Sequence, residues 1–396
     1  MAELLSDDSR RPALLEPAKE PLARSDLKLP PPPFRPARRA APRRVLGRTG
    51  IAVSALGLSG AYDPPPTAIR AALRAGVNLL FWEPRYLGLT RFLRHRFAEP
   101  ARREKVVLVA GSFEGDRLGI ERDLAQALRR LGTDYIDVFL LFWVRSPERL
   151  SDEVRSCLQD LKRSGRIRAY GFSTHHRDLA EQAIGADPGG SPWDVVMLRH
   201  SAAHPGAQEK LLPLCKERGV GVITFSALCY GRLLRETPGA ASLGVPERKR
   251  LTAEECYRYS LDQPGVTACL TAPRSARELR ENLEVLTLVA RPLPQESVER
   301  LRAHGRRVRE EDRRFSALLR KGHEGAPQAL AALRLPNLPA LADLPALADL
   351  AKPTVLPELI EAEPQHGDSD SELASGEWLP IGDASRLSWR RRSEKL

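Results

Sequence analysis

Two groups of side chains in this chain are of types that do acid–base chemistry. Four of its 8 histidines, His175, His176, His200 and His204, fall within one short stretch. Histidine changes charge near neutral pH, so each is a candidate to polarise a carbonyl or move a proton. Grouped histidines also bind metals, but neither His175-His176 nor His200/His204 has a recognised zinc spacing, so no metal centre is expected. The second group is Glu83, Arg85 and Tyr86, in the run FWEPRY. An unperturbed tyrosine has a pKa of about 10 and needs a neighbouring cation to act as an acid at neutral pH. On an extended segment Arg85 and Tyr86 point apart, while Glu83 and Arg85 share a side and are expected to pair. The five cysteines (Cys157, Cys215, Cys229, Cys256, Cys269) form no Cys-x-x-Cys pair and read as isolated thiols of a reducing cytoplasm.

These groups sit in a regular beat of elements. RRVLGRTGIAVS reads as two short strands around a Gly-Arg-Thr-Gly turn. Candidate strands follow at 54–58, 77–82, 106–110, 136–142, 169–172, 194–198, 220–225 and 266–270. They are rich in Val, Ile and Leu without alternation, as suits a parallel sheet covered on both faces. Amphipathic helices are expected between them, for example at 120–131, 147–163 and 207–218. Eight such units predict a closed (β/α)8 barrel, a TIM barrel of the α/β class. An open doubly wound sheet is the alternative, and no Gly-x-Gly-x-x-Gly follows the first strand to support it.

The barrel is expected over residues 43–322, with a charged helix at 295–320 packed outside it. Residues 1–42 are rich in Pro and Arg and are expected to be a disordered arm. Residues 323–396, with LPALAD twice in tandem, read as a low-complexity tail. Either flank is a candidate docking segment for a protein partner. No apolar run reaches the roughly 18–20 residues of a membrane span, and no secretory signal is read at the N-terminus. The formal net charge is +11, but basic and acidic residues are interleaved almost everywhere. Nucleic-acid binding is therefore not expected, while attraction of an anionic dinucleotide is.

Several blocks occur in one order: LGRTGIAVSALGLS, AGVNLLFWEPRY, RREKVVLVAG, LAQALRRLGTDYIDVFLLFW, LQDLKRSGRIRAYGFST, GVGVITFSAL and APRSARELRENL. Together, over roughly residues 43–290, they resemble the aldo-keto reductases. The resemblance implies NADP(H)-linked reduction of a small carbonyl compound at the barrel mouth. It also implies a tyrosine acid, a lysine that lowers its pKa, an aspartate that orients the lysine and a histidine that positions the carbonyl.

Carried over position by position, only the tyrosine is retained, as Tyr86. Phe81 stands at the aspartate's position, Gly111 at the lysine's and Phe142 at the histidine's. For the cofactor, the resemblance places Ser173 and Thr174 near the nicotinamide amide, Phe225 against its ring and Ser226 beside it. Met197 stands where a glutamine is usual. Arg274, Ser275, Glu278 and Asn282 match the adenosine-phosphate segment. Arg274 is suited to a 2′-phosphate, whereas Glu278 repels one, and ordinary helix capping by Ser275 explains part of the pattern. These residues imply an NADP(H)-linked oxidoreductase with a degenerate site and weak or altered carbonyl reduction. The alternative is a non-catalytic barrel that binds cofactor or protein. A third reading gives the chemistry to the histidines.

Overall fold

The computed structural model describes residues 43–187, 190–235 and 251–320. The arm expected at 1–42 and the tail expected at 323–396 lie outside the described residues. A hairpin comes first, β1 (Arg43–Val45) against β2 (Ala52–Ser54), antiparallel. Its turn reaches the strand-entry end of the barrel, where the Arg48 backbone N–H donates to Gly219 O at 2.8 Å. Gly47 there has φ +53°, and a Cβ on it would stand 2.3 Å from the Gly221 nitrogen. Only glycine fits that conformation and that approach.

Eight parallel strands then close a barrel in sequence order. They are β3 (Leu56–Ser59), β4 (Leu79–Phe81), β5 (Val107–Ser112), β6 (Ile136–Leu141), β7 (Ile167–Thr174), β8 (Val195–Arg199), β9 (Gly221–Phe225) and β10 (Val266–Thr271). All six residues of β6 are buried, as are all five of β8 and of β9. This is why their sequences show no alternation: one face meets the barrel interior and the other meets helices.

Helices return the chain from the end of each strand to the start of the next. Arg117–Leu131 shows the local logic. Asp116 caps it, its side chain accepting from Gly119 N, and Gly132 ends it in the left-handed conformation. Its buried residues Ile120, Leu124, Ala127 and Leu131 recur at helical spacing and face the strands. The helix expected at 147–163 is broken into a 3-10 turn, Pro147–Leu150, and a helix, Asp152–Arg163, capped by Ser151. The helix expected at 207–218 likewise splits into Gly206–Gln208 and Leu211–Glu217. The long helix Gln295–Arg320 packs on the outside. Its Leu301 and Val308 join a cluster with Ala203, Leu233 and Tyr259.

Candidate functional site

Tyr86 lies just past β4, at the end of the barrel where the strands finish, as (β/α)8 sites do. The extended run expected at 83–86 is instead a turn, because Tyr86 N donates back to Glu83 O at 3.0 Å with Pro84 at its second position. The turn brings together side chains that an extended run would separate. Tyr86 Oη donates to Glu83 Oε1 at 2.9 Å, and Arg85 Nη2 lies 2.8 Å from Glu83 Oε2. The Arg85 guanidinium also stands 5.6 Å from the centre of the Tyr86 ring. The expected Glu83–Arg85 pair therefore forms, and Glu83 additionally takes the tyrosine proton's hydrogen bond. The Glu-Pro dipeptide was the signal for that turn.

The surroundings are dry and aromatic. Tyr86 is 4% exposed and Glu83 3%. Phe81 lies 6.2 Å from Tyr86 and 5.4 Å from Phe142, ring centre to ring centre, and Phe113 continues the cluster at 5.3 Å from Phe142. Gly111, near the end of β5, lies against the next strand. A Cβ on it would meet Leu140 O at 2.0 Å and Phe142 Cε1 at 2.8 Å. Burial, then the Glu83 carboxylate, push the Tyr86 hydroxyl well above its ordinary pKa, and Arg85 offsets this only in part. Burial likewise raises the Glu83 carboxyl, against the pull of Arg85. The Tyr86 hydroxyl thus holds its proton more tightly than an ordinary tyrosine.

The residues proposed for the nicotinamide line β7, β8 and β9. Ser173 Oγ accepts from Trp143 N at 2.8 Å, which leaves its hydroxyl proton for a second partner. Thr174 Oγ1 is committed to protein, donating to Val144 O and accepting from His176 N. Met197 is buried. Phe225 ends β9 and meets His175 edge to face at 5.3 Å. Ser226 follows with φ +58°, and Trp143, after β6, has φ +51°. Such conformations cost of order 1–3 kcal/mol and cluster where strand ends meet ligands.

In the phosphate segment, Ser275 caps the helix Ala276–Leu283 and accepts from Glu278 N at 3.1 Å. Glu278 returns an oxygen to Arg274 N at 2.7 Å. Asn282 is buried and donates to Thr271 Oγ1 at 2.8 Å. Arg274, Ser275 and Glu278 are exposed, and the Arg274 guanidinium lies 4.5 Å over the Tyr62 ring. A fit to a dinucleotide thus rests on Ser173, Phe225 and Arg274. Thr174, Ser275, Glu278 and Asn282 are occupied by capping and strand-end hydrogen bonds.

The four histidines singled out in the sequence are all lowered from the ordinary histidine value. Burial, with Arg199 nearby, lowers His175 to about 3, and burial alone lowers His200 to about 4. His204 is lowered well below its ordinary value, and His176 is lowered as well, burial leading in both. His200 is wholly enclosed and stacks on Tyr259, its two nitrogens facing Ser260 Oγ and Gln208 Nε2, each at 2.9 Å. Among the described residues no three His, Cys, Asp or Glu side chains gather in a metal-holding arrangement, and no helix is long and apolar enough to cross a membrane.

Comparison with known proteins agrees with this architecture. The model of the aldo/keto reductase family matches residues 67–306. L-galactose dehydrogenase of Arabidopsis thaliana is 26% identical over 280 residues, 62% of this chain and 88% of that one. The NADH-specific methylglyoxal reductase of Escherichia coli is 27% identical over 299 residues, 61% of this chain and 90% of that one. Among solved structures, an aldo-keto reductase of Bacillus halodurans in its holo form superposes with a TM-score of 0.55 at 23% identity, over 67% of this chain and 95% of that one, a likeness of fold. With an eight-stranded parallel barrel and a family match across most of it, this chain belongs to the aldo/keto reductase family.

Proposed function

We propose that this chain is an NADP(H)-linked oxidoreductase whose proton-donating machinery is weakened, so that it reduces ordinary small carbonyl compounds slowly and favours acceptors needing little acid assistance. The observation that carries this reading is the Tyr86 hydroxyl. Its hydrogen bond goes to a buried carboxylate, Glu83, and its other neighbours include Phe81. A positioned general acid is worth about 10²–10⁴-fold in rate when its pKa lies near the working pH, and Tyr86 is pushed away from that range.

The bound dinucleotide would supply a hydride. In this reading Phe225 packs against its ring, the Ser173 hydroxyl donates to its amide and Arg274 meets its phosphate. The name of the Escherichia coli relative specifies NADH, so the phosphate preference rests on Arg274 alone. The five cysteines are all buried, which supports a reducing, cytoplasmic setting.

The test is a fluorescence titration with NADPH and with NADH, followed by turnover on a carbonyl and quinone panel. Saturable micromolar binding, NADPH tighter than NADH, is expected. Turnover should be slow, and Tyr86→Phe should change it by less than about tenfold. Binding of neither dinucleotide would overturn the oxidoreductase reading in favour of a barrel kept for protein interaction. A loss of 100-fold or more in Tyr86→Phe would show instead that Tyr86 is a working acid.

A further inference from the structure

Where β7 and β8 end, the structure has a recess beside the Phe225 ring, on which His175 packs. Thr174, His175, Arg177, Leu198, Arg199 and His204 are among its lining residues. It is a small, partly open recess with about 20 Å³ of room, enough for a single water-sized group.

Donors dominate its wall. Ser201 Oγ accepts the backbone N–H of His204 at 3.2 Å, so its own hydroxyl proton is available for His204 Nδ1, 3.3 Å away. With that hydroxyl donating, Nδ1 accepts and the ring proton sits on Nε2, the tautomer on which the proposal below rests. His204 is 5% exposed, and its Nε2 has no hydrogen-bond partner among the described residues. A buried N–H without an acceptor is rare in a folded protein and points to a group that fills the site. Arg199, 8% exposed, lies on the same wall.

The helix Arg177–Gly185 starts at the recess, and its N-cap residue, His176, supplies no capping side chain. The amides of a helix's first turn attract anions. Asp178, in that turn, is an acidic group that acts on His176. The charged groups that lower His175 and His204 are Arg145, Arg199, Arg232, Arg309 and the neighbouring histidines, Arg232 being itself paired with Glu311 at 3.7 Å.

We propose that this recess binds an oxyanion group, the phosphate or carboxylate of a small molecule. Such a group offers acceptors only. It answers the His204 N–H, the helix amides and the concentration of positive charge together. The site lies at the ends of β7 and β8, away from the Arg274 segment that follows β10, so it is separate from the place proposed for a dinucleotide's 2′-phosphate.

The test is thermal unfolding of the full chain at pH 7, in increasing inorganic phosphate or acetate, with ionic strength held constant by sodium chloride. A ligand that binds only the folded state raises the midpoint with its concentration. A rise of about 5 °C at saturation is expected for at least one anion. A rise with phosphate alone assigns a phosphate ligand, and a rise with acetate alone assigns a carboxylate. His204→Leu removes the donor, and Arg199→Gln removes the charge in case the first variant fails to fold. The anion-dependent rise should fall by at least half in either. No rise with either anion overturns the proposal. So does a full rise in both variants, which would place the binding elsewhere. Neither cofactor nor turnover enters the measurement, so its outcome is independent of the oxidoreductase reading.

Discussion

The two ends of the barrel treat buried charge in opposite ways. At the strand-entry end, Asp137 is 1% exposed and fully answered. It accepts from Leu108 N at 2.9 Å and pairs with Arg103 at 2.9 Å and Arg168 at 2.7 Å. Arg103, 4% exposed, spends its remaining donors on Val106 O, Tyr135 O and Thr133 Oγ1, with its guanidinium 3.9 Å over the Tyr135 ring. Asp194 is served similarly by Lys162 at 2.6 Å. At the mouth, Glu83 stays raised by its burial even with Arg85 and Tyr86 bonded to it, and His204 Nε2 has no hydrogen-bond partner among the described residues. A network with every partner present is a fastening. One with partners missing is a place for a ligand or a reaction. The contrast matches the general division of (β/α)8 barrels, stability at one end and chemistry at the other.

The sharpest way to break this comparison is Asp137→Ala. It leaves the Arg103 guanidinium buried without its carboxylate, a change worth about 3–5 kcal/mol. Urea unfolding should show the midpoint falling with the slope unchanged. Asp137→Asn, which can still accept from Leu108 N, should lose less. A loss under about 1 kcal/mol in Asp137→Ala would mean that the lower network is not what fastens the barrel.

The next effect is acid sensitivity from the mouth half. His200 is enclosed between Ser260 and Gln208 and does not take a proton until about pH 4. The unfolded chain takes that proton near pH 6.5, so between these values the unfolded state binds more protons than the folded one. Stability must then fall as pH drops through the window, by about 3 kcal/mol from this group once below it. His200→Gln stays neutral throughout and should flatten the dependence of the unfolding free energy between pH 6.5 and 4. An unchanged slope would show that His200 protonates in the folded protein as readily as in the unfolded one. His175 and His204, lowered in the same direction, keep the slope of the variant above zero.

The lower end is also the legible end. LRRLGTDYIDVFLL contains Thr133, Tyr135 and Asp137, three members of the network around Arg103, and LKRSGRIRAYGFST contains Lys162 and Arg168. Their spacing is fixed by strand geometry, so it survives in sequence as a recognisable string. The strands were readable for the same reason, each unbroken apolar run ending within a few residues of its observed bounds. The mouth is assembled from loops, where a residue's neighbours come from other strands. Nothing local to Glu83 and Tyr86 announced their hydrogen bond except Pro84, which turns the chain between them. His200 illustrates the opposite error. One residue past β8 it reads as a loop histidine, yet it points inward to Ser260 and Tyr259. Those partners stand some sixty residues further along the chain, beyond the reach of any local pattern.

The smallest of the expected effects tests whether the mouth has been repacked around its aromatic residues. Restoring a side chain at Gly111 is not a matter of filling space. Its Cβ would strike the Leu140 carbonyl oxygen, part of the β6 backbone paired with β5, and the Phe142 ring edge. The ring can rotate away, but the backbone must shift, and the two strands share a closed sheet. Gly111→Ala should therefore destabilise by about 1–3 kcal/mol, the usual range for overpacking a settled core. Gly111→Ala combined with Phe142→Ala separates the two contacts. If the ring is the obstacle, the pair should cost less than the sum of the singles. If the Leu140 carbonyl is the obstacle, the two costs should add. A neutral Gly111→Ala would mean that β5 and β6 can part there easily. A lysine at that position would then be compatible with this barrel, and the weakness assigned to Tyr86 would be open to repair by substitution alone.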